Sequence, residues 1–154
     1  MIHLDVLGIR LVSTEEPAVL LLQERGGSRC LPIWIGTIEA AAIASGMEGP
    51  ESARPMTHDL LAALLPLIDP GQGRVEILAV EDGVYRAQLH LGEHVVDARP
   101  SDCVAIAVRL GWEIQCPAAL MDEVGVEVEA AQTDEVEAFR AFLDSVSADD
   151  FEDE

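Results

Sequence analysis

The chain has 154 residues, the size of one ordinary domain. Its hydrophobic fraction of 49% suffices for a single core, but aromatics are only 4%, so that core must be aliphatic. The formal charge of -20 sets up a field that repels nucleic acid at long range, which counts against a tight, non-specific nucleic-acid binder.

All 9 bases are Arg, so any anion contact has to come from the planar guanidinium fork. Eleven of the 29 acids fall in residues 127–154, which divides the chain into a domain over 1–126 and an acidic C-terminal extension over 127–154. Cys30, Cys103 and Cys116 fit no zinc or redox spacing and read as buried or free thiols in a reducing compartment. The first residues do not read as a signal peptide. No apolar run approaches the ~18 residues that span a bilayer, so a cytoplasmic location is expected.

In chain order, residues 2–12 read as a strand that ends before Glu15-Glu16-Pro17. Residues 18–25 form a second strand closed by Gly26-Gly27, and residues 29–35 a third, where Pro32 indicates an edge position or a strand start. Residues 37–46 (TIEAAAIASG) read as a helix with Thr37 capping its start and Gly46 its end; it is apolar nearly all round and should be buried. Residues 57–68 read as a second helix, capped by Thr57 and bent or stopped near Pro66. The pattern then returns: strands over 74–80, 84–91 and 94–98, and a helix over 101–110 capped by Ser101. Residues 113–116 are a short strand, and residues 134–146 are a short amphipathic helix with Val136, Phe139, Phe142, Leu143 and Val146 on one stripe.

At an offset of 63 residues, Glu39 falls on Asp102 and the Ala-Ile-Ala of 42–44 on that of 105–107. This suggests an α+β fold from a duplicated β-β-β-α unit, sharing a mixed or antiparallel sheet with helices packed on it.

The chain has no Gly-rich phosphate loop with Lys, no Gly-x-Ser-x-Gly elbow and no His-Glu-x-x-His helix. Its distinctive polar residues sit in two stretches, Arg54-Pro55-Met56-Thr57-His58-Asp59 and Asp97-Ala98-Arg99-Pro100-Ser101-Asp102. Each runs through an Arg-Pro step into a helix N-terminus, where an anion is favoured. Arg54 and Arg99 are candidate phosphate clamps, and His58 is a candidate general base or acid. Asp97, Asp102 and Glu39 are candidates for orienting a water or holding a divalent cation such as Mg²⁺ or Mn²⁺. Plainer roles compete: Asp102 and Glu39 as helix-dipole partners, His58 paired with Asp59, and Arg99 with Asp97 or Arg54 with Asp59 as ion pairs. Trp34 and Trp112 read as core or interface residues rather than base-stacking platforms.

The runs LPIWIGTIEAAAI, RPMTHDLL and DARPSDCVAIAVR, in that order, resemble the bifunctional nuclease domain family over roughly residues 1–125. The resemblance implies hydrolysis of DNA and RNA, a tendency to self-associate (a dimer as first expectation), and Glu39, Arg54, His58, Asp59, Asp97, Arg99 and Asp102 as the motif's polar residues. The competing expectation is a non-enzymatic regulatory or assembly module that binds a small anion or a protein partner through its Arg-Pro corners.

Overall fold

The protein is described here by a computed structural model, in which residues 1–11, 17–49 and 54–128 are placed. The expected helix over 134–146 lies outside these residues. Among the described residues, eight strands and four helices form an α+β fold. The elements are β1 (Ile2–Arg10), β2 (Ala18–Glu24), β3 (Arg29–Ile35), α1 (Thr37–Glu48), α2 (Thr57–Ile68), β4 (Arg74–Glu81), β5 (Val84–Leu91), β6 (His94–Ala98), α3 (Pro100–Leu110), β7 (Glu113–Cys116), α4 (Ala118–Val124) and β8 (Val126–Glu127).

All eight strands join one mixed sheet in the order β6-β5-β4-β7-β1-β2-β3-β8. Each half of the chain is an antiparallel meander: β1-β2-β3 and β4-β5-β6. In each, the first strand is bulged against the second, at Val6/Gly8 and at Ile77/Ala79. β7 stitches the meanders together, parallel to β4 and antiparallel to β1. The short α4 touches both β3 and β4. In a flat sheet those strands would lie four spacings apart, roughly 19 Å, wider than a helix. The sheet must therefore curl, which brings the end of β3 towards the start of β5.

The core is aliphatic, as the composition requires. Leu20, Leu22, Leu31, Ile33, Val75 and Ile77 from the strands meet Ile43, Val104, Ala105 and Met121 from the helices. Full burial of each large side chain contributes roughly 1.5–3 kcal/mol. Trp112 is the aromatic residue in this buried cluster, and all three cysteines are buried and free. Burial pushes the Cys103 thiol up to about 12, so it carries no thiolate at neutral pH and is no nucleophile.

Pro32 lies at an edge, one of the two positions its presence indicated, although it pairs with Leu21 in the middle of β3. It is tolerated because β8 reaches only Arg29 and Cys30, leaving β3 an edge at Pro32 on its other side. α1 is not buried all round: Ala40, Ala42 and Ile43 are, while Ile38 is 81% exposed. Gly46 does not end α1, which continues to Glu48 with Gly49 at its C-cap. A Cβ on Gly46 would lie 2.6 Å from Arg109 Nη1 and 2.8 Å from Val108 Cγ2, so this glycine lets α1 approach α3 closely.

Candidate active site

The site begins where α1, α2 and α3 start. In α3, Arg99 is the N-cap with extended backbone and Pro100 opens the helix. Proline's fixed φ and missing N–H suit the first helical position. Ser101 is therefore already inside the first turn and buried; it makes no cap hydrogen bond, contrary to the reading from sequence. In α2 the N-cap is Met56 rather than Thr57. Asp59, three residues on, folds back so that its Oδ2 accepts the Met56 N–H at 2.9 Å. In α1 the N-cap is Gly36 and Thr37 makes no cap bond.

These starts converge. His58 Nε2 lies 2.9 Å from Asp102 Oδ1. Arg99 donates from Nε to Asp102 Oδ2 at 2.9 Å and from Nη2 to Asp102 Oδ1 at 3.3 Å. Its Nη1 donates to Glu39 Oε1 at 3.2 Å, which ties α1 to α3. The two motif stretches, 44 residues apart at His58 and Asp102, thus meet in a His58–Asp102–Arg99–Glu39 chain.

The electrostatics follow from the contacts. Burial opposes ionisation of Asp102, but the hydrogen bonds from Arg99 and His58 outweigh it and hold the carboxyl below the usual range. The ionised carboxylate only accepts, so His58 Nε2 carries the proton and Nδ1 is the basic atom of the neutral ring. Arg99 is pushed up by Asp102 and then by Glu39. Its side chain is 64% exposed, and three of its five N–H groups are engaged, so two can reach an incoming anion.

The remaining candidates lie apart from this chain of contacts. Asp59 turns the other way and accepts from Arg109 Nε at 2.7 Å. Arg109 also donates from Nη1 to the Ala105 carbonyl at 2.8 Å. His58 thus pairs with Asp102, not Asp59, and Asp59 pairs with Arg109, not Arg54. Arg109 was not singled out from sequence; its one local signal is a charge in the last turn of α3, after the apolar run of residues 103–108. Asp97 does not meet Arg99: it is exposed on β6 and accepts a 3.5 Å bond from its cross-strand neighbour Gln88. Arg54 is exposed in the approach to α2.

Among the described residues, no group of three or more His, Cys, Asp or Glu side chains is arranged to hold a metal ion. Between Glu39 and Asp102 the guanidinium of Arg99 already supplies the cation. The donor set among the described residues therefore does not fit Mg²⁺ or Mn²⁺. Among the described residues, no helix is long and apolar enough to cross a membrane.

Two proteins of Mycobacterium tuberculosis, from the CDC 1551 / Oshkosh strain and from H37Rv, are 43% identical to this chain over 156 residues. The match spans 95% of this chain and 95% of each relative, and both relatives are described as uncharacterized. The profile of the bifunctional nuclease domain matches residues 19–129, which take in α1, α2 and α3 with the whole His58–Asp102–Arg99–Glu39 chain. By that match the chain belongs to the bifunctional nuclease domain family.

Proposed function

We propose that the chain is a nuclease that hydrolyses phosphodiester bonds in DNA or RNA, with His58 as general base and then general acid. The observation that carries this reading is the 2.9 Å contact between His58 Nε2 and an Asp102 carboxylate that Arg99 also grips. Asp102 fixes the tautomer and orientation of the imidazole. Nδ1 takes a proton from an attacking water as its oxygen bonds to phosphorus, and the protonated ring returns that proton to the leaving oxygen as the second P–O bond breaks. Arg99, with two N–H groups to spare, offsets the charge that builds on the phosphoryl oxygens. Glu39 holds Arg99 in place, and Asp59 holds the start of α2 through Met56 and Arg109. Arg54 and Asp97 serve the approach of the strand rather than the reacting phosphate.

Asp102→Asn tests the roles. It preserves shape but removes the charge that selects the tautomer, and kcat should fall about 10²- to 10⁴-fold, the range of general acid–base catalysis. Unchanged cutting by a folded Asp102→Asn would sink the assignment.

The second reading is a binding module without chemistry, and one feature favours it. With neutral imidazole, Arg99 faces two carboxylates, so the cluster is net negative inside a chain of charge -20. That reading predicts saturable anion binding with no cutting.

Self-association belongs to the same proposal, and α2 is the surface that fits it. α2 buries no side chain completely and exposes Leu60, Leu64, Leu67 and Ile68. A dimer by sedimentation that dissociates in Leu67→Glu would support it; a wild-type monomer would refute it.

A further inference from the structure

The two faces of the sheet are covered differently. On one face Leu20, Leu22, Leu31 and Ile33 join the main core with residues of α1, α3 and α4. The other face changes polarity from one meander to the next. Over β4 and β5 it is polar, with Glu76 beside Gln88 and Arg74 beside His90. Over β2 and β3 it is apolar, with Val19 beside Trp34 and Leu21 beside Pro32. Val19, Leu21 and Cys30 form a second apolar cluster there, each at most 1% exposed. Among the described residues, the partly buried hydrophobics packed against it are Leu7, Trp34, Val126 and Val128, none of which belongs to α1–α4. The second face of an antiparallel sheet is ordinarily polar and solvated, so an apolar cluster this dry marks a face with a further layer on it.

The chain itself leads to this face. β8 pairs with Arg29 and Cys30, the Val128 N–H donates to the Ser28 carbonyl at 2.7 Å, and Val126 and Val128 pack on the cluster. Past Val128 run residues 129–154, with the apolar stripe of Val136, Phe139, Phe142, Leu143 and Val146. A helix over 134–146 is about 20 Å long, close to the length of the seven-residue strands β2 and β3. The residues before it, 129–133, span up to about 17 Å when extended, enough to carry it back over the cluster. The charges agree as well. Arg10 stands beside Val19 on this face, half-buried and with no carboxylate partner among the described residues, while the extension over 127–154 holds eleven of the 29 acids.

We propose that the apolar face of β2 and β3 is the docking surface of the chain's own C-terminal segment. Residues 134–146 lie across it as a helix, with the stripe of Phe139, Phe142 and Leu143 against Val19 and Leu21 and the segment's acids towards Arg10. The acidic extension is then a further layer of the fold rather than a separate tail. Its stripe is used within the chain, and self-association is left to α2.

Cys30 reports on this cover, and Cys103 and Cys116, buried in the main core, are controls within the same molecule. Burial, and then Glu127, push the Cys30 thiol up to about 11, so a covered Cys30 alkylates slowly and an uncovered one faster. The full chain is treated with iodoacetamide, and each cysteine is followed by peptide mass spectrometry. All three should be protected in wild type, and the protection of Cys30 should not change on dilution, as befits a contact within one chain. In the double variant Phe139→Glu with Phe142→Glu, Cys30 should lose protection while Cys103 and Cys116 keep it. Ala141→Glu, on the opposite side of the helix from the stripe, should leave all three protected. In case the double variant unfolds and opens all three together, Arg10→Glu disturbs the same contact from the sheet side and should open Cys30 alone. The proposal is overturned if Cys30 of wild type reacts as fast as in the urea-unfolded chain, or if it stays protected in every folded variant of the stripe and of Arg10. Protection that falls on dilution overturns it too, and assigns the cover to a second copy of the chain.

Discussion

Arg109 is the residue whose removal from its setting should be felt most. Its side chain is 7% exposed, and its charge is met by Asp59 and one backbone carbonyl. Asp59→Ala strands that cation in a nearly dry place, and a buried charge without its partner is strongly unfavourable. The melting temperature of Asp59→Ala should fall, and by more than that of Asp97→Ala, whose carboxylate is exposed on β6. Equal melting temperatures would mean that the Arg109 pair is not a structural tie. The same two carboxylates that anchor the helix starts predict the acid limb of stability. Arg109 and the Met56 N–H hold Asp59 low; in Asp102, the bonds from Arg99 and His58 outweigh burial and hold it low too. Folded values below the unfolded one mean stability that is complete above the unfolded value of 3.8 and is lost as pH falls through the folded values. Urea midpoints should therefore drop from about pH 5 to about pH 2, and less steeply in Asp102→Asn. His58, Arg99, Glu39 and Asp102 were legible as polar residues at helix starts. Their pairing was not, because which carboxylate meets which cation is decided by packing between segments 44 to 60 residues apart. Arg109 was invisible for the same reason.

At the scale of elements, glycines decide how closely the helices approach. Ala is favoured over Gly inside a helix by about 1 kcal/mol. At Gly46 that gain competes with a Cβ set 2.6 Å from the Arg109 guanidinium, and overpacking of this kind costs about 1–3 kcal/mol. Gly46→Ala should therefore lower the urea midpoint rather than raise it, and a stabilised variant would show that α1 and α3 are free to separate. Gly36→Ala acts on the site instead: its Cβ would lie 2.5 Å from Glu39 Oε2, so the carboxylate that binds Arg99 through its other oxygen must shift. β1 to β7 and α1 to α3 were readable from alternation and turn residues, and their bounds match within a few residues, whereas α4 and β8 were not read from the sequence. Nor were the helix starts. Thr57 and Ser101 look like caps in sequence, but Pro100 begins α3 one residue earlier, and Asp59 counts three residues back to make Met56 the cap of α2. Ala-rich α1 looked buried all round because small apolar side chains do not reveal which face a neighbour covers.

For the whole molecule, the sheet's curl and the charge set what can be bound. The curl places the end of β3 beside the start of β5, a neighbourhood that no local pattern encodes because those strands are not paired. The charge of -20 leaves Arg99, with Arg54 in the approach, as the cations proposed to meet one or two phosphates. Single-strand binding should then weaken with salt only gently, with a log–log slope of about -0.7 to -1.4, whereas a basic groove would give a far steeper line. The central claim is that the His58–Asp102–Arg99 arrangement cuts phosphodiester bonds. The most direct measurement is cleavage of single-stranded DNA and RNA by wild type, His58→Ala and Arg99→Ala, purified identically, each with Mg²⁺, with Mn²⁺ and with EDTA. The account predicts cutting by wild type that survives EDTA and is lost in both folded variants. Absence of cutting by wild type, or cutting that persists unchanged in both variants, would contradict it and leave the binding module in its place.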